Sequence, residues 1–442
     1  MHREINGYFF PDELTDLNVM SEIRETDAGK VKIHLPQLMP EHINSALLML
    51  RENRHFILNE DENKIKNQLS LHIKMWLDRN YKPRKLAESL LPITLGYSKP
   101  MVVAILDSLF RKLDHDLEFL EKGSKSREIL VSVFPDIPGP QVVAVIQALL
   151  NGMAVYCKAP YQEPLFTALY LSSLRDVDES LAKCVVVTSW EGGKNENQIL
   201  ENALYGDLTE KDMIVIFGSP EVTRTIDAMR NQTTSLVTYS RGIGIIAIGI
   251  DHLRNERIQD TLESCARAIS LYNGNSCFSP QSIIIEDKGE TSPQSFSKSL
   301  SNLMTRIAQN ELPVGDLSGD AYAKFIQTHR TYRIQSLRGS LEYHPVNDVQ
   351  GRPIGGVALI NDGNFALPRG GQRVVTVFPI GELAQSQSIL LPYEHQIHSV
   401  GLGLDSANYI KIKDVFEKMG SRVSSIEDML NLSFEDYLFL DE

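Results

Sequence analysis

The chain has 442 residues, 42% hydrophobic and 23% charged, with 57 acidic against 44 basic side chains and a formal net charge of −13. That length allows two or three domains with a large core, and the acidic balance argues against nucleic acid as the main partner. No apolar run approaches the ~20 residues of a membrane span, no signal-peptide stretch opens the chain, and four cysteines without paired spacing fit a reducing cytoplasm.

Residues 1–128 read as a mixed, mainly helical region. A strand-like segment, Val31–Leu35, precedes helical patterns near 40–58, 60–79 and 98–121, and Pro36, Pro40, Pro83 and Pro92 punctuate them. The polar run 121–128 marks a boundary. From 129 to 252, β-rich runs alternate with helical patterns. Strands are expected at Ile129–Phe134, Met153–Cys157, Cys184–Thr188, Met213–Phe217, Ser235–Tyr239 and Ile243–Ile250, and helices at 139–151, 163–174, 195–204 and 220–230. The alternation predicts βαβ units, a mainly parallel sheet and right-handed crossovers. Such sheets bind ligands at the carboxyl ends of their strands. Residues 253–410 form a second α/β region. It has helices at 257–272 and 293–310, strands at Ser282–Glu286, Val357–Ile360, Arg373–Phe378 and Ser388–Leu391, and Gly-rich turns at 353–356 and 368–371. Residues 411–442 read as a tail of two helices with an acidic end.

Four segments bear on chemistry. Residues 273–281, Asn-Gly-Asn-Ser-Cys-Phe-Ser-Pro-Gln, set Cys277 in a polar turn between a helix and a strand. A thiol there can face a cleft and act as a nucleophile. Cys157, Cys184 and Cys265 lie in apolar or helical settings and read as buried small hydrophobes. Lys158 ends the run Met153-Ala-Val-Tyr-Cys, at the strand end where a nucleotide would sit; an exposed surface lysine is the plainer alternative. Gly218 and Ser219 follow a buried strand, and Pro220 suits the first turn of a helix whose N-terminus offers N–H groups to a phosphate. Trp190-Glu191-Gly192-Gly193 falls on the same rim, and a simple turn accounts for it equally well. No Gly-x-Gly-x-x-Gly or Walker A pattern is present, which removes support for ordinary Rossmann dehydrogenases and P-loop enzymes. His395 and His398 have helical spacing but no evident third ligand, so no metal site is expected.

Taken together, Leu95-Gly-Tyr-Ser-Lys-Pro-Met101, Val133-Phe-Pro-Asp-Ile-Pro138, Lys158 with the following Pro164-Leu-Phe-Thr-Ala-Leu-Tyr-Leu, Trp190-Glu-Gly-Gly193, Phe217-Gly-Ser219, Ser276-Cys-Phe-Ser-Pro-Gln281 and His398-Ser-Val-Gly401 resemble the aldehyde dehydrogenase superfamily. Within it they are most similar to the LuxC-type fatty acyl-CoA reductases, over about residues 95–405. The resemblance implies an α/β, aldehyde dehydrogenase-like fold. It has a Rossmann-like cofactor domain (129–252), a catalytic domain (253–410) and an oligomerisation element, with residues 1–128 packed on the cofactor domain. It implies that Cys277 is the catalytic cysteine, that Lys158 holds the adenosine ribose, and that Gly218 and Ser219 lie near the pyrophosphate and nicotinamide. Gly192 and Gly193 join the cofactor-binding set. Tyr161 stands where superfamily members that prefer NAD often carry a glutamate. This points to NADPH, with NADH as the alternative because Glu163 is close in sequence.

Two features of ordinary aldehyde dehydrogenases are missing. The stretch Ser240-Arg-Gly-Ile-Gly244 has no carboxylate where those enzymes keep their water-activating glutamate, and Val133 replaces the asparagine before Phe134-Pro135. A reductase gains from leaving water unactivated, because hydrolysis wastes the acyl group. The implied activity is therefore reduction of an acyl thioester, on CoA or a carrier protein, to the aldehyde through S-acyl-Cys277. The implied assembly is a homo-oligomer, with an acyl-activating synthetase or acyltransferase as a candidate partner. The rival readings are an aldehyde-oxidising dehydrogenase with its base elsewhere, and a non-redox acyltransferase, thioesterase subunit or silent scaffold.

Overall fold

The computed structural model describes all residues except 1–2, 13, 15, 121–125, 241, 317–318, 366, 368–370 and 435–442. The chain folds as two compact units, Met1–Arg241 with Leu432–Glu442, and Gly242–Asn431.

The first unit opens with strands β1 (Arg3–Asn6), β2 (Asn18–Thr26) and β3 (Gly29–Gln37), which form a three-stranded sheet in the order β1-β3-β2. Only the most apolar part, around Val31, Ile33 and Leu35, stood out in the sequence. Strand β2 carries exposed side chains along most of its length and so lacks a clean alternation. Helices Pro40–Asn53, Glu62–Leu77 and Lys99–Asp116 fall on the expected helical patterns. Helix Lys82–Leu95 was not expected, because Pro83 and Pro92 read as breakers. Pro83 occupies the tolerated first turn, and Pro92 comes in the last turn, just before Gly96 ends the helix with a left-handed cap. An aromatic cluster anchors this region. Trp76 is fully buried, stacks on Phe110 at 5.2 Å, and donates its indole N–H to Ser173 Oγ at 3.0 Å.

Five strands then build the main sheet: β4 (Ile129–Val133), β5 (Ala154–Ala159), β6 (Val185–Ser189), β7 (Met213–Gly218) and β8 (Ser235–Ser240). They are parallel throughout and run in the order β6-β5-β4-β7-β8. Every residue of β4, β5 and β6 is buried, as a parallel sheet covered on both faces requires. The order reverses between β4 and β7, which makes their carboxyl ends the topological switch point.

The second unit holds a seven-stranded sheet, β11-β12-β13-β10-β9-β14-β15. Its strands are β9 (Ile243–Ile248), β10 (Pro280–Glu286), β11 (Leu341–Asn347), β12 (Pro353–Ile360), β13 (Val374–Ile380), β14 (Ile397–Gly403) and β15 (Arg422–Ser425). All neighbours are parallel except β11 and β12. Helices Ile258–Ser270 and Pro293–Asn310 lie where expected.

Several expectations are corrected. Strand β9 does not close the sheet of the first unit; it pairs with β10 and β14. Two residues separate it from β8, too few for a parallel crossover, and its almost wholly buried side chains need cover on both faces. The run Ser388–Leu391 is not a strand: Ser386–Leu390 is a short helix that a 3₁₀ turn continues. The tail is not a helical pair. Helix Ser406–Glu417 is followed by β15, which adds to the edge of the sheet, and residues 435–442 with the acidic end lie outside the described residues. His395 lies in the 3₁₀ turn Leu391–Gln396 and His398 is the second residue of β14, so they do not share a helix face. Among the described residues no group of three or more His, Cys, Asp or Glu side chains could hold a metal. Helix Gly319–Leu337, polar over most of its surface, was also not expected.

Candidate active site

Of the expected residues, the structure brings Lys158 together with Gly192 and Gly193 on the first unit; Gly218 and Ser219 come at the end of a different strand of the same sheet, Tyr161 is engaged with Glu22 and Arg24, and Cys277 is on the second unit. On the first unit, Lys158 sits at the carboxyl end of β5 and is 7% exposed. Its ammonium donates to the Trp190 carbonyl at 3.2 Å and lies 5.0 Å from the centre of the Trp190 ring. Burial pulls its pKa down to about 8, and the carboxylate of Glu201 acts in the opposite direction. Gly192 and Gly193 form the turn beyond β6. The N–H of Gly193 donates to Glu201 Oε1 at 3.0 Å. A Cβ on Gly192 would stand 3.3 Å from that oxygen and 3.5 Å from the Lys158 ammonium, so a side chain there would crowd both charged groups.

Gly218 and Ser219 lie at the carboxyl end of β7, at the switch point. Ser219 is extended, and its hydroxyl accepts the N–H of Val222 at 3.4 Å, capping helix Pro220–Met229. Phe134, Phe217 and Tyr239 stack along the ends of β4, β7 and β8, with centroid separations of 5.5 and 4.9 Å. Tyr161 is engaged elsewhere. Its hydroxyl donates to Glu22, and Arg24 lies 5.4 Å from its ring centre while donating to its carbonyl at 2.9 Å. Glu163 is buried and accepts the N–H groups of Leu165 and Phe166 at the start of helix Leu165–Ser172. Burial raises its pKa to about 7.

On the second unit, Cys277 lies just before β10, at the amino ends of the parallel strands β9, β10 and β14. Lys158 and Gly218 thus lie at the carboxyl ends of their strands, whereas this cysteine lies at the amino ends of its sheet. Cys277 is half-buried, whereas Cys157, Cys184 and Cys265 are buried, and none forms a disulfide. Burial pushes the thiols of Cys157 and Cys184 up to about 12 and that of Cys265 higher still, which keeps all three protonated and inert.

The turn holding Cys277 is locally closed. The N–H of Ser276 donates to Ser279 Oγ at 3.1 Å, that of Phe278 to Ser276 Oγ at 3.4 Å, and that of Ser279 to the Ser276 carbonyl at 3.0 Å. The Phe278 carbonyl accepts from Ser399 Oγ of β14, and the Ser279 carbonyl from the Gly244 N–H of β9. The N–H groups of Ser276 and Phe278 are therefore already bonded, and donors to an oxyanion have to be sought elsewhere. Upstream, Tyr272, Asn273 and Gly274 are successively left-handed, with φ of 54°, 54° and 73°. For the first two this costs roughly 1–2 kcal/mol each. Tyr272 is buried, and burial followed by the nearby Cys277 charge raises its phenol pKa.

Sequence reasoning missed Glu201 and Arg373. Glu201 shares the buried face of helix Gln198–Gly206 with Leu200, Leu204 and Tyr205, so a glutamate in an apolar stripe was the available signal. Arg373 is buried against Asn273, a contact 100 residues apart in the chain that no local pattern encodes.

Comparison with solved structures places this fold among the aldehyde dehydrogenases. An NAD-dependent benzaldehyde dehydrogenase from Corynebacterium glutamicum is 11% identical, covering 95% of this chain and 92% of its own, with a TM-score of 0.70. Aldehyde dehydrogenase 21 from Physcomitrella patens, in complex with succinate, is 12% identical over 98% and 92%, with a TM-score of 0.70. An NADP-dependent glyceraldehyde-3-phosphate dehydrogenase from Bacillus halodurans C-125, complexed with NADP, is 12% identical over 92% and 87%, with a TM-score of 0.66. No curated protein matches the sequence. The profile of the acyl-CoA reductase (LuxC) family matches residues 59–431, and the chain belongs to that family. It is accordingly an oxidoreductase of acyl and aldehyde chemistry. Among the described residues, no helix is long and apolar enough to cross a membrane.

Proposed function

We propose that the protein reduces an acyl thioester, carried by CoA or an acyl-carrier protein, to the aldehyde with NADPH. The observation that carries the reading is Cys277. It is the one cysteine of the four not buried, and it sits in a hydrogen-bonded turn just after the left-handed corner at Tyr272–Gly274, where the resemblance to the family puts the catalytic cysteine.

The Cys277 thiolate attacks the thioester carbonyl, and collapse of the tetrahedral adduct expels the donor thiolate and leaves S-acyl-Cys277. A reduced nicotinamide, when bound, would supply the hydride for the acyl carbonyl. The resulting thiohemiacetal breaks its C–S bond, releases aldehyde and returns the thiolate, one proton being consumed overall. Residues on this chain fit a dinucleotide: a buried lysine with acceptor capacity beside it, a close-approach glycine at 192, and a helix N-terminus at Ser219. Lys158 would bind the ribose hydroxyls, Gly192 and Gly193 would let backbone approach them, and Gly218 with Ser219 would lie under the phosphates.

NADPH is favoured over NADH because neither nearby candidate carboxylate serves as a free ribose acceptor. Tyr161 replaces one, and Glu163 is occupied in capping helix Leu165–Ser172. The test is to incubate the enzyme with acyl-CoAs of graded chain length and either cofactor, following absorbance loss and aldehyde formation. NADPH oxidation matched by aldehyde is the expected result. Aldehyde-dependent NADP reduction with no reverse reaction would support the oxidising alternative, and acyl loss with no redox change the non-redox one.

A further inference from the structure

We propose that Glu201 is a positioning residue of the cofactor site, acting through Lys158 and the Gly192-Gly193 turn. The proposal rests on reading Lys158 as the ribose lysine. Three elements meet at Gly192: the end of β5 through Lys158, the turn beyond β6, and helix Gln198–Gly206 through Glu201. Glu201 is 5% exposed. One carboxylate oxygen takes the Gly193 N–H, and the other is fully enclosed, with no hydrogen-bond partner among the described residues. The indole N–H of Trp190, whose carbonyl receives the lysine, is likewise enclosed and unpartnered among the described residues. A buried carboxylate costs several kcal/mol unless charge and hydrogen bonds compensate it. Its retention on an otherwise apolar helix face, beside a buried ammonium, indicates a role for its charge.

That role follows from the surroundings of the lysine. Tyr156 and Tyr205 are buried, and both are raised above the ordinary phenol range, so they stay neutral. Glu191 is exposed and paired with Lys194 at 3.3 Å. Glu201 is therefore the buried carboxyl group beside the lysine and the one that opposes the effect of burial on it, and a protonated lysine donates to ribose oxygens where a neutral one is a poor donor. One oxygen is enclosed and the other is held by the Gly193 N–H, so Glu201 acts through the lysine and the turn.

The test is calorimetric titration of the intact enzyme with NADPH, and separately NADH, from pH 6 to 9.5. Wild-type affinity should be flat at low pH and fall above about pH 8, where burial leaves Lys158 titrating. Glu201→Gln should move that alkaline limb to lower pH by about one unit, the size of a nearby-charge effect, and Glu201→Asp should keep the limb while weakening binding several-fold. A Glu201→Gln limb unmoved from wild type would overturn the proposal. If that variant does not fold, Glu201→Asp decides, and wild-type affinity there would overturn it. Lys158→Ala separates the two readings. Unaltered cofactor affinity in that variant sinks the ribose lysine itself, whereas lost affinity together with an unmoved Glu201→Gln limb sinks only the role of Glu201.

Discussion

Arg373 grips Asn273. Its Nε and Nη2 both donate to Asn273 Oδ1, at 3.2 and 2.9 Å, and its backbone N–H donates to the Asn273 carbonyl at 3.1 Å. Nη2 also reaches the Leu312 carbonyl at 2.7 Å, while Asn273 Nδ2 donates to that of Val314 at 2.9 Å. Both residues are left-handed, with φ of 59° and 54°. Burial lowers the guanidinium pKa to about 9, which leaves it charged at neutral pH. Its bonds hold open the strained corner four residues before Cys277.

Replacing Arg373 by Met should therefore destabilise the protein by on the order of 2–4 kcal/mol, since it strands the Asn273 and Leu312 acceptors in the interior. Arg373→Lys keeps the charge but cannot bridge Asn273 as the fork does, and should lower the rate of Cys277 acylation more than it lowers stability. Urea denaturation beside the alkylation rate of Cys277 separates the two effects. Wild-type alkylation in both variants would show that the corner does not position the thiol.

Cys277→Ala should form no acyl adduct. Intact-mass analysis after mixing with acyl-CoA should show one added acyl group on the wild type and none on the variant. The three buried cysteines cannot substitute, because their thiols are held protonated. An adduct that persists in Cys277→Ala would move the nucleophile elsewhere.

Lys158→Ala should weaken NADPH binding by about 1–3 kcal/mol, the loss of a charge-assisted hydrogen bond, while leaving acylation of Cys277 in the absence of cofactor intact. Equilibrium binding and mass analysis on the same sample check both halves. A loss of acylation as well would point to general unfolding.

Glu163 gives a pH signature to stability. Its folded pKa, about 7, lies above the ordinary 4.5. The folded state then holds the proton more tightly between those values, and this group's contribution to stability falls as pH rises from about 4.5 to 7. Glu163→Gln removes the titration. The difference in unfolding free energy between wild type and variant should shift by on the order of 3 kcal/mol across that window, to the wild type's disadvantage at the higher pH. A pH-independent difference would show that the carboxylate is charged throughout, held by the N–H groups of Leu165 and Phe166.

Much of this was legible in the sequence, for identifiable reasons. Strands β4 to β6 are fully buried, as is β7 up to its last residue, and they read as short β-rich runs bounded by turns; the cysteine environments separated cleanly into three apolar and one polar. What escaped was set by distant contacts. Strand β9 carries nearly the same buried pattern as β4 to β7, and what separates it from their sheet is the two-residue gap after β8, too short for a parallel crossover, which a pattern reading passes over. Helix Gly319–Leu337 buries only Phe325 and His329 in its interior-facing side, so its periodicity is faint. Glu201 and Arg373 are polar residues in buried places, and what makes them informative is the partner that each meets, which the linear chain does not display.

The last expectation concerns water. Ordinary aldehyde dehydrogenases activate water with a carboxylate in the segment that corresponds to residues 240–244, where this chain has Ser-Arg-Gly-Ile-Gly. Position 242 has no room for one. A Cβ there would fall 2.1 Å from the ring of His398, so the imidazole occupies the space that a side chain would need. Without a base, water competes poorly with hydride for the acyl carbonyl, and S-acyl-Cys277 should be long-lived in the absence of reduced cofactor. After a single acyl transfer, free acid should appear slowly, and added NADPH should release aldehyde promptly. Quenched-flow sampling with intact-mass readout follows both. His398 is the residue to watch, because burial lowers its pKa and favours the neutral imidazole, the form able to take a proton. If acid appears as fast as NADPH-driven aldehyde, and His398→Gln slows it, that imidazole is a water base and the thioesterase or aldehyde-oxidising reading replaces reduction. Slow acid release in both wild type and variant leaves hydride as the acyl group's main exit.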